Sequence, residues 1–384
     1  MHSIQHQNPI KTMTTIILCL LLSWGLFSLC LPGDARANNM KVITDANARQ
    51  VQVPENVTQI ICSGAGCLRL ITYLQSQDKI VAVDDLEKKR RKFDARPYAL
   101  ANPQFKQYPV FGEFRGHDNP EAIMGLSPRP QVIFKTFGST GYDPVELQQK
   151  TGIPVVILEY GDLASGRESF FKSLKIAGAV LGKESRAKAI IEYINTHISQ
   201  LNQRTCNIPD SEKKSCYVGG IASKGPHGFQ STEPGYPPLQ FINTTNVAAI
   251  KTHGKIPRQS NISKENLLLW DPEVLLLDLS TLQLGEGSGG LHELKTDPVY
   301  QALSGVTKGS VFGLLPYNWY SMNQGSILAN AWFIGKTLYP TQFKDIDPAA
   351  KADEIYTFLV GKAVFQEMNQ QFQNMVFKRI SHAL

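Results

Sequence analysis

The sequence predicts an α/β protein with two β/α lobes, one long rigid helix that joins them and a ligand cleft between the lobes. Short apolar segments typical of buried strands alternate with segments whose apolar residues recur at helical spacing. This alternation stops once, where helical spacing continues from Arg167 to about Gln203, and then restarts. A unit of short helix, proline break and apolar strand also occurs twice. In each copy a glutamate, Glu121 or Glu265, is followed seven residues later by proline and then by an apolar strand.

The interruption sets the expected domain boundaries. A chain of 384 residues suits two domains and a connection, since domains commonly contain about 150 residues. We expect an N-terminal lobe over residues 38–165, an interdomain helix over 166–205 and a C-terminal lobe with a terminal helix over 206–384. One helix of about 35 residues would extend about 50 Å, too far for one small lobe. Gly182 is the weak point in its pattern.

Residues 1–37 are expected to be a signal peptide that is removed on export. Lys11 precedes an apolar run, and a small-x-small pattern ends at Ala37, which predicts cleavage near that residue. An uncleaved anchor is an alternative, because a run of about 18 apolar residues is close to the length that spans a bilayer. A lipid anchor on Cys30 is a further alternative that the sequence leaves open.

Composition and charge describe an ordinary globular chain. Hydrophobic residues make up 42% and charged residues 19% of the sequence, which is not the composition of a disordered protein. The net charge is +6, and the longest basic run, residues 88–92, directly follows three acidic residues within positions 84–87. Nucleic acid is therefore not an expected partner, whereas a mildly basic cleft could attract an anionic ligand.

Four of the six cysteines lie outside the signal segment, in two close pairs. An even number of cysteines in an exported chain favours disulfides. We expect a bridge between Cys206 and Cys216, which would close a polar loop. For Cys62 and Cys67 three interpretations stay open, in this order: a tight disulfide, two buried thiols or a site for a soft metal.

A glycine-rich loop follows the first strand of the second lobe. Residues 217–236 begin as a strand and then lose regular structure, because glycine and proline interrupt it. Rigid scaffolds often present binding groups on such loops, so we expect this loop to form one wall of the cleft. His227 could coordinate a metal, hydrogen-bond a ligand or only close the turn. The ligand-binding candidates in the loop are His227, Phe229, Gln230, Glu233 and Tyr236.

Candidates for the opposite wall follow the strands of the first lobe, since ligands in α/β sheets bind beyond the carboxyl ends of strands. Ser63 and Gly64 begin a tight turn before a helix, where free backbone N–H groups suit an anion. The other first-lobe candidates are Arg115, Lys135, Tyr142 and Tyr160. A late strand of the second lobe is followed by aromatic rings that could stack on a planar ligand, namely Tyr317, Trp319 and Tyr320. No histidine pair has the spacing of a metal site, so no bare-metal site is predicted.

In the order of its segments, the chain resembles the periplasmic substrate-binding proteins of ABC importers for iron–siderophore, haem, vitamin B12 and related metal chelates, the class with a single interdomain helix. The resemblance extends from about Met40 to the C-terminus. It is carried by Gln59-Ile-Ile-Cys-Ser-Gly-Ala-Gly-Cys-Leu-Arg-Leu, Asn119-Pro-Glu-Ala-Ile, Leu174-Lys-Ile-Ala-Gly-Ala-Val-Leu-Gly-Lys-Glu and Ser263-Lys-Glu-Asn-Leu-Leu-Leu-Trp-Asp-Pro.

This resemblance implies a monomeric periplasmic binding protein, without catalysis or a covalent cofactor, that delivers an iron complex to a permease and its ATPase. It also implies that one carboxylate on each lobe docks onto permease arginines, and by position these are Glu121 and Glu265. Alternatively, both carboxylates only complement the N-termini of their helices. A molybdate or tungstate oxyanion, vitamin B12 and haem are alternative ligands. An enzyme on a chelatase-like two-lobe scaffold is an alternative from another class.

Overall fold

The computed structural model describes residues 39–89, 92–249 and 256–380. Within these ranges the chain forms two mainly parallel sheets with helices, as the sequence predicts. The expected signal peptide lies outside the described residues. No helix in the ranges above combines the length and the hydropathy needed to cross a bilayer.

The first lobe contains a hairpin and a six-stranded sheet. The hairpin consists of β1 (Met40–Thr44) and β2 (Gln50–Pro54) in antiparallel pairing. The strands of the sheet are β3 (Ile60–Ser63), β4 (Ile80–Asp84), β5 (Val110–Glu113), β6 (His117–Asp118), β7 (Val132–Thr136) and β8 (Val155–Leu158). Their order is β6-β5-β4-β3-β7-β8, and all pairs are parallel except β5 with the edge strand β6.

Local capping signals fix the starts of two helices in this lobe. The helices are α1 (Cys67–Tyr73), α2 (Asp85–Lys88), α3 (Pro97–Ala101), α4 (Pro120–Met124) and α5 (Pro144–Thr151). The Asn119 side chain accepts a hydrogen bond from the N–H of Ala122 at the start of α4. The Asp143 side chain caps α5 in the same way. In both helices proline occupies the first helical position, where its missing N–H is not needed.

One continuous helix was predicted between the lobes, but the structure has two helices there. These are α6 (Arg167–Leu181) and α7 (Glu184–Thr205). Gly182 ends α6 in the left-handed conformation, with φ 65° and ψ 39°, and no atom lies within 4 Å of the position that a β-carbon would take there. The break is therefore a backbone conformation that glycine adopts at low steric cost, and the prediction of a single helix is wrong at this residue.

The second lobe repeats the strand-helix alternation around a smaller sheet. Its strands are β9 (Ser215–Gly219), β10 (Ser231–Thr232), β11 (Thr245–Asn246), β12 (Ser260–Asn261), β13 (Val274–Asp278) and β14 (Val311–Leu314). The sheet has the order β11-β9-β13-β14 and is parallel throughout. The short strands β10 and β12 form a separate antiparallel ribbon.

The helices of the second lobe include one that lies within the core. They are α8 (Pro237–Phe241), α9 (Lys264–Trp270), α10 (Gly289–Thr296), α11 (Pro298–Gln301), α12 (Ser304–Thr307), α13 (Gln324–Leu338), α14 (Pro348–Val360) and α15 (Phe365–Gln371). Nearly every residue of α13 is buried, which is expected of a helix that is apolar on all sides. The helical tail predicted from about Ala349 corresponds to α14 and α15.

One hydrophobic core extends through both lobes. It contains residues from Val57 in the first lobe to Val376 in the second. A smaller cluster covers the other face of the first sheet, where Ile61 and Ile133 point away from Ile60 and Phe134. Neighbouring residues of a strand face opposite sides of a sheet, so these apolar strands are buried on both faces, as parallel strands usually are.

The four cysteines outside the expected signal segment are free thiols, so neither predicted bridge is present. Cys206 is exposed at the end of α7, whereas Cys216 is buried in β9. Cys62 and Cys67 are both buried, the Cys67 thiol donates to the carbonyl oxygen of Phe134, and burial raises the pKa of the Cys62 thiol well above its usual value. Of the three interpretations left open for this pair, the structure has the two buried thiols.

Candidate functional site

A cavity of about 410 Å³ lies between the two lobes, at the carboxyl ends of their strands. This is the position at which ligands of open α/β sheets bind. The first lobe lines it with Gly64, Ala65, Arg115, Thr136, Phe137 and Thr140. The second lobe lines it with Ile221, Ala222, Ser223, Lys224, Glu233, Arg258, Gln259, Asn318, Ser321 and Met322.

Three cationic side chains line this cavity, namely Arg115, Lys224 and Arg258. All three are exposed to solvent. None forms an ion pair with another residue of the described ranges. A cleft bordered by cations without paired carboxylates carries a positive potential and concentrates anions.

Glu233 is the one carboxyl group among the described residues that line the cavity. It is buried, and the hydroxyl of Tyr317 donates a hydrogen bond to its Oε2 atom. Burial raises the pKa of Glu233 to about 8, against the smaller opposing effects of Tyr317 and Arg258. The group is therefore mostly neutral at pH 7 and cancels little of the positive potential.

The turn after β3 brings the backbone of the first lobe to the cavity. Gly64 has φ 85°, and a β-carbon at this position would lie 2.6 Å from the carbonyl oxygen of Thr136. Both the left-handed conformation and the close approach of the neighbouring strand require glycine. The turn can thus present main-chain groups, rather than a side chain, to a ligand.

A second cavity of about 240 Å³ adjoins the first and shares Arg115 and Lys224 with it. Its walls include the aromatic rings of Phe114, Trp319 and Tyr320. The cleft therefore continues from a cationic compartment into one with aromatic walls, and two of the predicted aromatic residues lie there.

Arg69 holds one wall of the cleft in place through hydrogen bonds. It is 0% exposed, and its guanidinium donates to the carbonyl oxygens of Met322 at 2.7 Å and of Trp319 and Tyr320 at 3.1 Å each. It also donates to the hydroxyl of Tyr160. Because Arg69 belongs to the first lobe and the three carbonyls to the second, this arginine holds the loop over residues 317–323 against the opposite lobe.

Tyr320 makes a second connection between the lobes. Its hydroxyl donates to the Oδ2 atom of Asp84, at 2.5 Å, and accepts from the N–H of Arg115, at 3.2 Å. Burial, followed by the nearby Glu87, raises the pKa of Asp84 to about 7. The loop that carries Tyr320 is therefore tied to β4 as well as to α1.

Lys135 and Ser63 do not line the cleft, which corrects two predicted ligand contacts. The ammonium group of Lys135 is wholly buried and pairs with Asp118 at 2.6 Å. It also donates to the hydroxyl of Ser63, at 3.2 Å, and to the carbonyl oxygen of Gly116, at 2.9 Å. Its charge is neutralised inside the first lobe because the edge strand β6 places a carboxylate beside it.

Three further tyrosine candidates, Tyr160, Tyr236 and Tyr317, have structural roles. Tyr160 is buried and donates to the carbonyl oxygen of Met322 at 2.7 Å. Tyr236 is buried beside Tyr317, and its hydroxyl accepts from Asn330 at 3.1 Å. Tyr317 reaches the cleft only indirectly, through its hydrogen bond to Glu233.

Most candidates in the glycine-rich loop hold the loop in place and do not line the cavity. The Nε2 atom of His227 hydrogen-bonds to the carbonyl oxygen of Ser223 at 2.7 Å, so this histidine closes the turn. The ring of Phe229 is buried in the core. The amide of Gln230 donates to the carbonyl oxygen of Ile262 at 2.9 Å.

Tyr142 lies outside the cleft. It lines a separate groove on the surface of the first lobe, together with Glu113 and Glu121, and its hydroxyl donates to Glu146. No group of three or more histidine, cysteine, aspartate or glutamate side chains that could hold a metal ion is present in the described part of the chain. The polar side chains that line the cleft are cations, hydroxyls, amides and the carboxyl group of Glu233.

Comparison with known proteins identifies the family. The family model described as periplasmic binding protein matches residues 60–317. The chain belongs to the periplasmic binding protein family. The resemblance inferred from the sequence is thereby confirmed at the level of the family, and the family implies a periplasmic location.

This periplasmic binding protein is similar to the molybdate-binding protein MolA of Haemophilus influenzae. The two are 21% identical over 370 residues, which cover 90% of this chain and 95% of MolA. The solved structure of MolA bound to molybdate matches with a TM-score of 0.62 and 18% identity, over 84% of this chain and 98% of MolA.

Two structures from Veillonella parvula are similar in fold. A periplasmic solute-binding protein matches with a TM-score of 0.66 and 17% identity, over 90% of this chain and 99% of its own. The TroA-like periplasmic binding protein FepB matches with a TM-score of 0.61 and 20% identity, over 84% of this chain and 97% of its own. These matches establish the two-lobe fold.

Proposed function

We propose that this periplasmic binding protein is the solute-binding component of an ABC importer and captures an anionic ligand in the cleft. The observation that carries the proposal is the cluster of Arg115, Lys224 and Arg258 around the cavity, without ion-pair partners in the described ranges. Guanidinium groups match the geometry of oxyanions and carboxylates. The cations come from both lobes, which suits capture and delivery rather than catalysis.

An anionic metal chelate of the iron–siderophore class is the first candidate ligand. A cavity of about 410 Å³ has the size of the sites that hold drug-sized molecules, about 300 to 1,000 Å³. The adjoining compartment of about 240 Å³ provides aromatic walls, on which the planar groups of a chelator can stack. A ligand with an anionic metal centre and an organic body uses both compartments.

A molybdate or tungstate oxyanion is the second candidate. The similarity to MolA, a molybdate-binding protein, favours it. The basic side chains and the backbone at Gly64 also suit a small oxyanion. Both candidates share the same chemistry, which is a negative charge carried on oxygen atoms.

The proposed function can be tested by titrating the purified, ligand-free protein. Isothermal calorimetry and intrinsic tryptophan fluorescence, to which Trp319 contributes, would follow the addition of sodium molybdate, sodium tungstate, a ferric tricatecholate and a ferric trihydroxamate. Sodium sulfate and the iron-free chelators serve as controls. Binding of molybdate or tungstate without sulfate would identify an oxyanion, and binding of a ferric complex without its free chelator would identify a chelate. Protein that binds none of these anions would contradict the proposal.

Glu121 and Glu265 are proposed to dock onto basic side chains of the permease. Each is exposed in the first turn of a short helix, α4 and α9 respectively. Three positions further along, each helix exposes a large apolar side chain, Met124 at 41% and Leu268 at 42%. The same pairing of a carboxylate with an apolar side chain therefore occurs on both lobes. The pKa of Glu265 is lowered by hydrogen bonds from its own backbone N–H and from Ser263, so it is charged at neutral pH.

Substituting both docking carboxylates by alanine is expected to reduce uptake of the ligand by cells at least about tenfold, because each removed charge–charge hydrogen bond is worth about 1.5 to 3 kcal/mol. Binding to the isolated protein should not change, since neither residue lines the cavity. The matched control is Glu168→Ala with Glu184→Ala, which removes two exposed first-turn carboxylates from α6 and α7. Normal uptake with the first pair, or an equal loss with the control pair, would refute the docking assignment.

A further inference from the structure

The cavity that is lined by cationic side chains also contains the carboxyl group of a glutamate. Glu233 lines the same cavity as Arg115, Lys224 and Arg258. An ionised carboxylate at this position would repel the anion that these cations attract. Glu233 is only 6% exposed and forms no ion pair with any described residue, so its charge would also be poorly solvated.

The hydrogen bonds of Glu233 leave one oxygen atom available to the cleft. The hydroxyl of Tyr317 donates to Oε2, and no hydrogen-bond partner of Oε1 is found among the described residues. Tyr317 is itself 1% exposed and packs against Tyr236, with their ring centroids 5.5 Å apart. The carboxyl group is thus held through one oxygen, as an acceptor, and among the described residues the other oxygen has no acceptor that would compete for its proton.

We propose that Glu233 acts as a neutral carboxylic acid that donates a hydrogen bond from Oε1 to an oxygen atom of the bound anion. This inference rests on the proposed capture of an anion and adds the chemical role of one residue. The neutral acid selects ligands that carry acceptor oxygens. Loss of its proton converts the donor into a repelling charge, so the same group weakens binding when it ionises.

The surroundings of Glu233 determine the pH at which this change occurs. The pKa of Glu233 is raised to about 8, and burial is the largest cause. Asp162 and Asp278 add to the effect of burial, whereas Tyr317 and Arg258 oppose it. The group is neutral below about pH 8 and ionised above it. Anion affinity is therefore expected to be high below this pH and to fall as the pH rises through it. Among the described residues, the titratable or charged groups that act on Glu233 are Asp162, Tyr236, Arg258, Asp278 and Tyr317.

The test compares wild-type protein with Glu233→Gln, whose amide can still donate a hydrogen bond but cannot ionise. The probes are sodium molybdate and a ferric tricatecholate, titrated calorimetrically between pH 6 and pH 9.5. For the wild type, we expect the affinity to fall roughly 30-fold between pH 7 and pH 9.5, as required when binding needs the protonated form of a group with a pKa of about 8. Glu233→Gln should match the wild-type affinity at pH 7 and keep it within about threefold at pH 9.5.

A matched control separates Glu233 from other buried carboxyl groups. Asp278 is also buried, and burial raises its pKa to about 7, but it does not line the cavity. Asp278→Asn should still show affinity that falls as the pH rises, with a slightly lower midpoint, because Asp278 is the smallest of the named effects on the pKa of Glu233. The inference is overturned if Glu233→Gln shows the wild-type pH dependence, or if it binds more tightly than the wild type at pH 7. Absence of binding by any probe to the wild type would overturn the proposed function itself, and the role of Glu233 with it.

Discussion

Replacement of Arg69 by methionine is expected to lower the free energy of unfolding by on the order of 4 kcal/mol, which is typical of breaking a buried, hydrogen-bonded charge site. The side chain of Arg69 is 0% exposed and donates to three main-chain carbonyls of the opposite lobe. Methionine has a similar length but no donor, so the carbonyl oxygen of Tyr320 would lose its side-chain donor. The carbonyl oxygens of Met322 and Trp319 would lose the charged donor and keep only the hydroxyl of Tyr160 and the amide of Asn323. Urea denaturation monitored by circular dichroism would measure the change.

The control for this substitution is Arg379→Ala, which removes an exposed arginine and should cost less than about 1 kcal/mol. Arg69→Lys should be intermediate, since it keeps the charge but loses the fork of donors. A change of less than about 1 kcal/mol for Arg69→Met would contradict this account of the interlobe contact. The variant should also bind ligand more weakly, because Ser321 and Met322 of the released loop line the cavity.

Replacement of the two cleft arginines is expected to have the largest effect on binding. Arg115→Ala and Arg258→Ala should each reduce affinity by roughly 10- to 100-fold, because hydrogen bonds to a charged group contribute about 1.5 to 3 kcal/mol. Arg115 belongs to the first lobe and Arg258 to the second. A loss with both single variants would therefore show that the ligand contacts both lobes. Calorimetric titration with the anion that binds the wild type gives the measurement.

Arg379→Ala also serves as the control here, since it removes one exposed positive charge away from the cavity. Its affinity should remain within about twofold of the wild type, because exposed charges beyond a Debye length of about 8 Å are largely screened. Affinity that survives both arginine substitutions would place the ligand elsewhere. Affinity that falls equally with the control would show a general effect of net charge.

The sequence allowed the strand–helix alternation and the two-lobe fold to be predicted, because both depend on local signals. Asn119 and Asp143 show this, since each precedes a proline and caps the helix that follows. The break at Gly182 shows the limit. Glycine permits both a helical and a left-handed conformation, and the choice depends on how α6 and α7 pack against the rest of the molecule.

The candidate site could be predicted in part. Gly64, Arg115 and Glu233 line the cavity as expected, and Trp319 and Tyr320 line the adjoining compartment. These residues follow strands directly or lie on loops, where position along the chain indicates the carboxyl edge of a sheet.

The other candidates were misplaced because sequence does not show which side chain pairs with which. Lys135 follows the same strand-end rule, but Asp118 on the edge strand β6 neutralises it. Lys224 lies in the glycine-rich loop and could have been included for its charge. Arg258 stands in no recognisable pattern, and only the folded chain brings it to the cleft.

The continuous hydrophobic core has a consequence for how the protein loses its structure. Because residues of both lobes share this core, we expect the lobes to melt together in one cooperative transition instead of one after the other. A ligand held between them then stabilises the entire molecule, by about 2.7 kcal/mol when its free concentration is 100 times its dissociation constant. The melting temperature of the whole chain therefore reports whether the cleft is occupied, whatever the chemical identity of the ligand.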